Sequence, residues 1–404
     1  MDLRLWGASA FAFHLTNAAL HAAATAAFFG VARRFLKEGA LIAALLFAVH
    51  PLRVESVSWI SERRDLLCGL FCCLSVSAHL DKKRGLSLLF FALAGLSKGM
   101  AVTLPLALTL LDRRWKDKLP HFALAFALAV TGFALQGEAG SSWSWTDHGL
   151  GGRLAQSSYS FAFYLWKSVV PTGLSPFYPL TVPLDPFAPA FLAAYAVVAL
   201  AAWSRQRALA LYAVFLLPVC GLFQFGAHLV ADRYSYLATM PLAVVAGGWL
   251  SRRRALAAGL VLVYAVLCVR QQRHWASPTA LWTRVLAVSP ESGLALLHLG
   301  NEAARTGRPE DALDLFRRAQ ASDPACLPAL AAADAAALKT RPVCRKARSN
   351  EGAALAQLGR YDEARAAFET ALAADPSDAA AARNLARLRA SGGRPAAPRT
   401  AARR

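Results

Sequence analysis

Mixed charges and aromatic side chains are concentrated in three short segments of this sequence, each lying between apolar stretches. The segments span residues 50–65, 174–179 and 231–237. Segments 50–65 and 231–237 combine acidic, basic and aromatic residues, and 174–179 adds aromatic ones, whereas a signal that only fixes membrane orientation is rich in lysine and arginine alone. We therefore interpret the three segments as parts of one active face.

A further cation, Lys98, lies alone inside the apolar run 86–111. Two interpretations of this lysine stay open at the level of sequence. Its ammonium group either snorkels to the membrane interface, which is a structural role, or anchors a phosphate in a cavity that opens outward.

Polar residues also lie inside the first apolar stretch. His14, Asn17 and His21 follow one another at i, i+3 and i+7, so they share one helix face, and His50 is a fourth polar candidate at the end of the next stretch. Such groups normally face a bundle interior or a wet cavity, and hydrogen bonding between helices is the simplest role. A metal site would need a third ligand at a recognisable spacing, so we predict no metal.

These residues are embedded in a chain with the composition of a membrane protein. It has 404 residues, 56% hydrophobic and 17% charged, against about 45–50% and 25% in soluble domains. This excludes a single soluble enzyme domain and a disordered chain. The net charge of +19 divides into +12 for residues 1–270 and +7 for 271–404. The first excess lies in short clusters typical of topology signals, so we predict no nucleic-acid partner.

Nine apolar stretches predict an all-α, polytopic bundle over residues 1–270. Several are shorter than the roughly 20 residues that cross a membrane, which indicates bent or half-length helices. Basic clusters at 32–38, 81–85, 112–118, 204–207 and 251–254 are assigned to the inside. Run 86–111 must then be a hairpin with Lys98 near its outer apex, 154–170 lies at the interface, and the chain from Arg270 onward is extracytoplasmic. The stretches are 11–31, 39–49, 66–80, 86–111, 119–135, 187–203, 208–223, 236–250 and 255–269.

The C-terminal part carries a 34-residue period, which is that of tetratricopeptide repeats. Copies at 291–324 and 343–376 match at five positions, and 325–342 is a degenerate copy, so we assign 271–389 to an α-solenoid and 390–404 to a disordered basic tail. Such arrays bind extended peptides or partner proteins, although a structural cap without ligand is the alternative. Cys326 and Cys344 form either a disulfide or two free thiols.

In order along the chain, these stretches resemble the transmembrane and tetratricopeptide-repeat O-mannosyltransferases and their bacterial relatives. The resemblance implies a C-type membrane glycosyltransferase (GT-C) fold in a multi-pass inner (cytoplasmic) membrane protein. It implies a polyprenyl-phosphate-linked sugar as donor substrate, no bound cofactor, and extracytoplasmic repeats that present an acceptor protein; it leaves a divalent metal open. The resembling stretches are 14–21, 50–55, 64–67, 96–100, 174–179 and 232–237.

This chemistry needs a carboxylate that accepts the proton of the acceptor hydroxyl and cations that stabilise the departing lipid phosphate. The resemblance implies donor-phosphate binding by Lys98, Arg64 and Arg233. It implies that Glu55, Asp65 and Asp232 orient the sugar or brace those cations. In the structural alternative, Arg64-Asp65 and Asp232-Arg233 only pair with one another across loops.

The N-terminus departs from the family pattern. In that family a first transmembrane helix and a long acidic outer loop, the source of the catalytic carboxylate, precede the segment that residues 1–17 match. Here Asp2 is the only acidic residue before Glu38. We therefore expect an N-terminally truncated gene model and assign no catalytic residue. The alternative function is a non-catalytic, membrane-anchored repeat adaptor for envelope protein assembly. A transporter is less favoured, because the helices show no internal repeat.

Overall fold

The computed structural model describes residues 7, 9–138, 149–180, 184–223, 226–332, 334, 337–338 and 341–390. Across these residues the secondary structure is helical, and the only β-type pairing is an isolated bridge between Pro179 and His228. The all-α fold is therefore confirmed. The chain forms two compact units, Met1–Trp275 and Ala276–Arg404. Asp2 and residues 391–404 of the predicted tail lie outside the described residues.

The first unit, called here the membrane unit, is built from thirteen described α-helices joined in part by 3₁₀ turns. The turns are Pro51–Arg53, Ile60–Glu62, Gly99–Thr103, Trp115–Lys118, Leu217–Val219 and Asp232–Tyr234. The helices are α1 Ala10–Phe35, α2 Ala40–Val49, α3 Val54–Ser58, α4 Arg63–Leu80, α5 Arg84–Ser97, α6 Leu104–Asp112, α7 Leu119–Glu138, α8 Leu150–Val169, α9 Pro189–Ser204, α10 Arg207–Leu216, α11 Ser235–Ala238, α12 Met240–Leu250 and α13 Arg254–Arg273.

Three helices among the described residues are long and apolar enough to cross a membrane: Ala10–Phe35, Trp115–Leu135 and Arg254–Arg273. A fourth candidate is the pair Ala40–Val49 and Pro51–Ser58, which is bent by 56°. Several other predicted stretches form apolar helices of 10–17 residues. A helix this short does not reach across the roughly 30 Å hydrocarbon core, which agrees with the predicted half-length helices. Helix α8 is not among these candidate spans.

Ion pairs bring three of the predicted inside loops together at one end of the membrane unit. Arg34 pairs with Asp81, and Arg84 lies 3.0 Å from Asp117 between Nη2 and Oδ2. Because Arg84 begins α5 and Asp117 follows α6, the segment between them leaves this end and returns to it. The predicted hairpin is confirmed, with Lys98 at the break between its two arms.

The start of α2 packs closely against α12 at two glycines. A Cβ atom on Gly39 would lie 2.1 Å from the carbonyl oxygen of Gly247, and Gly39 has a φ of +87°. Both the contact and the left-handed backbone exclude a larger residue. This contact places the beginning of α2 beside the end of α12, so the predicted inside loops 32–38 and 251–254 lie at the same end.

The second unit, called here the repeat unit, consists of helix pairs whose inner faces bury small residues against aromatic rings. Phe316 packs on Gly300 in the first pair, and Phe368 packs on Gly352 in the second. The structure joins Cys326 and Cys344 by a disulfide, with Cα atoms 5.8 Å apart. The described helices are α14 Pro278–Val288, α15 Gly293–Arg305, α16 Pro309–Ala321, α17 Cys326–Ala331, α18 Pro342–Gln357, α19 Tyr361–Ala374 and α20 Ala379–Ala390.

Candidate functional site: a buried charge cluster in the membrane unit

The first and third polar segments meet through a two-point contact. The backbone N–H of Arg233 donates to Glu55 Oε2 over 2.9 Å, and the Arg233 guanidinium donates to Oε1 of the same carboxylate. Glu55 lies on the short helix α3, and Arg233 lies in the turn Asp232–Tyr234. Two loops that are 178 residues apart in sequence are thus held by one carboxylate.

Lys98 closes the cluster from the apex of the hairpin. Its ammonium group donates to Glu62 Oε2 over 3.0 Å and also to Asp65. Asp65 is buried and accepts a second bond from the Ser56 hydroxyl over 2.9 Å. Arg64 is largely exposed and donates to Glu62 over 2.9 Å. Lys98 therefore forms part of a largely buried ion network with Glu62 and Asp65.

The second polar segment joins the cluster through Tyr178. Its hydroxyl donates to Asp232 Oδ1 over 3.0 Å and accepts from the backbone N–H of Ser175 over 2.8 Å. Burial raises the pKa of Asp232 well above its ordinary value, and the nearby Glu55 raises it further. Burial likewise raises the pKa of Tyr178, with Asp232 as the second cause. The proton between these two groups is therefore strongly held.

The cations and carboxylates in the loops shift one another's pKa values. Burial alone would raise the pKa of Glu62, but Lys98, Arg233 and Arg64 together outweigh burial and lower it. Burial alone would lower the pKa of Arg233, but Glu55, Tyr234 and Glu62 together outweigh burial and raise it. Both groups are thus held in their charged forms.

Aromatic rings cover the charged groups of the cluster. The Arg233 guanidinium lies 5.3 Å from the centroid of Trp59 and 5.0 Å from that of Tyr234. Lys98 Nζ lies 5.8 Å from the same Tyr234 ring. His228 Nε2 is 2.7 Å from the Tyr234 hydroxyl, and burial and Arg233 lower the pKa of this histidine to about 4. His228 is therefore neutral near pH 7.

Comparison with known proteins identifies two regions of the chain. Residues 2–134 match the family model described as dolichyl-phosphate-mannose-protein mannosyltransferase. Residues 269–325 and 346–378 match tetratricopeptide repeat models. The resemblance to membrane O-mannosyltransferases with tetratricopeptide repeats is confirmed.

Curated relatives carry the same description. The mouse protein O-mannosyl-transferase TMTC3 is 45% identical over 60 residues, which cover 15% of this chain and 6% of that protein. The Xenopus laevis protein O-mannosyl-transferase tmtc2 is 41% identical over 80 residues, 19% of this chain and 10% of the relative. The Drosophila melanogaster protein O-mannosyl-transferase Tmtc1 is 38% identical over 115 residues, which cover 26% of this chain and 13% of that protein.

The aligned regions therefore cover at most 13% of these three relatives. No solved structure matches the chain. The comparisons support a glycosyltransferase of the membrane type, and the finer points of activity are taken up as proposals below.

The structure brings all six candidate donor-site residues into this one cluster. It pairs them differently from the structural alternative, in which Arg64-Asp65 and Asp232-Arg233 contact each other across loops. Arg64 pairs with Glu62, Asp65 with Lys98, and Arg233 with Glu55.

The residues of the predicted polar helix face do not share one environment in the structure. Asn17 is buried and donates to the backbone carbonyl of Val57 over 3.1 Å. His21 bridges two elements, with Nδ1 2.8 Å from the Tyr236 hydroxyl and Nε2 3.1 Å from the Ala48 carbonyl oxygen. These contacts confirm hydrogen bonding between helices as their role. His14 is exposed, so it does not share their environment.

His50 lies apart from that face, at the turn after α2. Its Nδ1 accepts from the backbone N–H of Leu52 over 3.2 Å, and its Nε2 lies 3.2 Å from the carbonyl oxygen of Ser168. The imidazole therefore caps a turn and joins it to the end of α8.

Two charged residues of this region were not among the sequence candidates. Glu62 bridges Lys98 and Arg64. Arg53 is 2% exposed and donates to the hydroxyls of Ser235 over 2.6 Å and Thr239 over 3.2 Å. Their position in the 50–65 segment was the available signal, but nothing in the local sequence showed which of its charges point inward.

Proposed function

We propose that this chain is part of a membrane glycosyltransferase that transfers a sugar from a polyprenyl-phosphate donor to an extracytoplasmic protein or glycan. The single observation that carries the proposal is the cluster of Lys98, Arg64 and Arg233 with buried carboxylates, in which Lys98 and Arg64 lie within the residues 2–134 that match a mannosyltransferase family. In the reaction the acceptor oxygen forms a bond to the anomeric carbon of the sugar, and the bond from that carbon to the phosphate oxygen breaks. The phosphate leaves with the electron pair, and a carboxylate takes the acceptor proton.

The proposed role of each residue follows from its contacts. Lys98, Arg64 and Arg233 bind the donor phosphate, because each is a cation with part of its surface open. Glu55, Asp65 and Asp232 hold these cations and orient the sugar. The proton-accepting carboxylate is left unassigned. We extend the proposal to residues 1–270 as the transferase domain and 271–389 as the repeats that present the acceptor.

Donor binding has to compete with the carboxylates that already neutralise the cations. Asp65 and Glu62 are both buried, and Asp65 is the less exchangeable partner of Lys98, since it also accepts a bond from the Ser56 hydroxyl. Glu62 is the more exchangeable one, because its second partner Arg64 is 59% exposed at the side chain. We therefore infer that the donor phosphate takes the place of Glu62 on Lys98 and Arg64.

The test measures binding of polyprenyl phosphate to the full chain in lipid nanodiscs. Lys98→Met is expected to weaken binding at least about tenfold, because a charge-assisted contact contributes about 1.5–3 kcal/mol. Glu62→Gln is expected to strengthen binding, because it removes the competing anion. Lys116→Met, at an exposed lysine in the turn Trp115–Lys118, is the matched control and leaves binding unchanged. Equal affinities for all four proteins would contradict the proposed donor site.

A second experiment separates the transferase from an adaptor. Labelled sugar from the polyprenyl-phosphate donor is offered to membranes containing the chain with its given start, an upstream-extended form, or neither. Sugar incorporated into protein by either form supports the transferase. No incorporation, together with partner-protein binding that depends on the repeats, supports the adaptor, for which the tetratricopeptide matches are the favouring observation.

We also propose that this multi-pass protein lies in the inner (cytoplasmic) membrane with its repeats on the extracytoplasmic side. The disulfide between Cys326 and Cys344 supports that side, because disulfides persist in oxidising compartments. Protease added to intact spheroplasts is expected to remove the repeats. Protection of the repeats until the membrane is opened would place them inside.

A further inference from the structure

The charge cluster has an aromatic rim for which the proposed phosphate binding gives no role. Trp59 is 40% exposed although it lies next to the buried Glu55–Arg233 pair. The Trp275 ring lies beside it, with ring centroids 6.2 Å apart and planes inclined by 35°. Both residues belong to the membrane unit.

The backbone that carries Trp59 is held from three sides. The buried amide of Asn17 bonds the carbonyl oxygens of Val57 at 3.1 Å and Trp59 at 3.4 Å. The Trp59 N–H donates to the Glu55 carbonyl, and its own carbonyl accepts from Glu62 N–H. An exposed tryptophan on a fixed backbone loses little conformational entropy when a ligand packs against it.

From this geometry we infer that Trp59, with Trp275 beside it, forms the subsite for the sugar ring of the lipid-linked donor. The inference rests on the proposed function, because it takes the donor phosphate to lie on Lys98 and Arg233. A pyranose is joined to its phosphate through a single oxygen, so a sugar on a phosphate at Arg233 lies beside the Trp59 ring, 5.3 Å from that guanidinium.

The chemistry of the rim suits a sugar ring. The face of an indole is negatively polarised and attracts the weakly positive C–H groups on the flat side of a pyranose. Glu55 and Arg233 next to it supply acceptors and donors for hydroxyl groups. The alternative is that Trp59 only anchors the unit at the membrane interface, as tryptophans commonly do. An anchor acts on any lipid, whereas a sugar subsite acts only on a lipid that carries a sugar.

The experiment compares two probes on the full chain in nanodiscs: polyprenyl phosphate, and polyprenyl phosphate that carries a mannose. The quantity of interest is the ratio of the two affinities, called here the sugar increment. Trp59→Leu is expected to lower the sugar increment about five- to tenfold, and any loss of affinity for polyprenyl phosphate alone reports the ring's contact with Arg233. Trp59→Phe is expected to recover part of it, because it keeps an aromatic face.

Two further variants act as controls. Trp203→Leu removes a tryptophan that is 82% exposed on α9 and leaves both affinities unchanged. Lys98→Met is expected to weaken binding of both lipids and to leave the sugar increment unchanged. The inference is overturned if Trp59→Leu leaves the sugar increment unchanged. An unchanged increment with slower transfer to protein would place the acceptor at Trp59. An unchanged increment with equally weaker binding of both lipids would indicate an anchor or a folding defect. Failure of the unsubstituted chain to bind either lipid refutes the proposed function and this inference with it.

Discussion

The ion pairs of the buried cluster in the membrane unit differ from the surface pairs of the repeat unit in their exposure to water. The side chains of Glu55 and Arg233 are 2% and 14% exposed, whereas those of Arg308, just before α16, and Asp311, in α16, are 58% and 59% exposed. Surface pairs contribute about 0–1 kcal/mol. Buried pairs bring a desolvation cost of several kcal/mol per ion, and similar stability is often reached with apolar residues. A buried network is therefore weak evidence for stability, which is consistent with the binding role proposed above.

The largest expected effect is the loss of one buried partner. Glu55→Gln leaves the Arg233 guanidinium inside the unit without its carboxylate, which is expected to cost about 3–5 kcal/mol of unfolding free energy. The measurement is the thermal unfolding midpoint of the membrane unit in detergent. A midpoint within error of the unsubstituted chain would mean that water already reaches this pair, and the contrast between the two units would fail.

The next effect concerns helix packing in the repeats, where small residues rather than charges decide the contact. A Cβ on Gly300 would lie 2.5 Å from Phe316 Cε1, so Gly300→Ala is expected to cost about 1–3 kcal/mol through overpacking. Hydrogen exchange of α15 and α16 in the full chain measures it. Gly259→Ala on α13 is the matched control, because a Cβ there meets nothing within 4 Å. Equal exchange in both variants would contradict the packing argument.

A smaller effect is expected from pH at the one buried carboxylate described in α18. Burial would raise the pKa of Glu351, but hydrogen bonds from Gln320 and Arg348 outweigh it and lower the pKa. Because the folded pKa is depressed, the stabilisation is present above the ordinary pKa of about 4.3 and is lost as pH falls through the folded value. Hydrogen-exchange protection of α18, corrected for the intrinsic exchange rate at each pH, is expected to fall in that acid range, and Glu351→Gln is expected to flatten the pH dependence. If the pH dependence is unchanged in the variant, it is caused by other carboxylates.

The smallest effect is expected at the surface of the repeats. Asp311→Asn removes the partner of Arg308 and is expected to change the unfolding free energy by less than about 0.5 kcal/mol. The measurement is the thermal unfolding midpoint of the repeat unit in low salt. A shift as large as that of Glu55→Gln would show that exposure does not separate the two kinds of pair.

Much of the fold was predictable because it depends on local patterns. Apolar runs separated by basic clusters predicted the hairpin around Lys98, since charge and hydropathy act on each stretch independently. The 34-residue period predicted the repeats, because each copy repeats the same contact, as Gly300 with Phe316 shows. The number of spans was less predictable. Of the nine apolar stretches, three match the long candidate spans and one lies in the bent pair among the described residues, since hydropathy does not tell a spanning helix from a half-length one.

The site was predictable in its members and not in its contacts. The sequence by itself determined that charged, aromatic loops gather on the face opposite the basic clusters. The structural alternative was that Arg64-Asp65 and Asp232-Arg233 pair with one another across loops, but the structure gives Arg64, Asp65 and Arg233 other partners.

Only the tertiary structure decided that Glu55 holds Arg233, that Lys98 lies between Glu62 and Asp65, and that Arg53 is buried. The reason is physical. A loop's composition follows from its own residues, whereas the partner of a buried charge depends on which distant loop the packed helices bring within hydrogen-bonding distance. For Glu55 and Arg233 that partner lies 178 residues away.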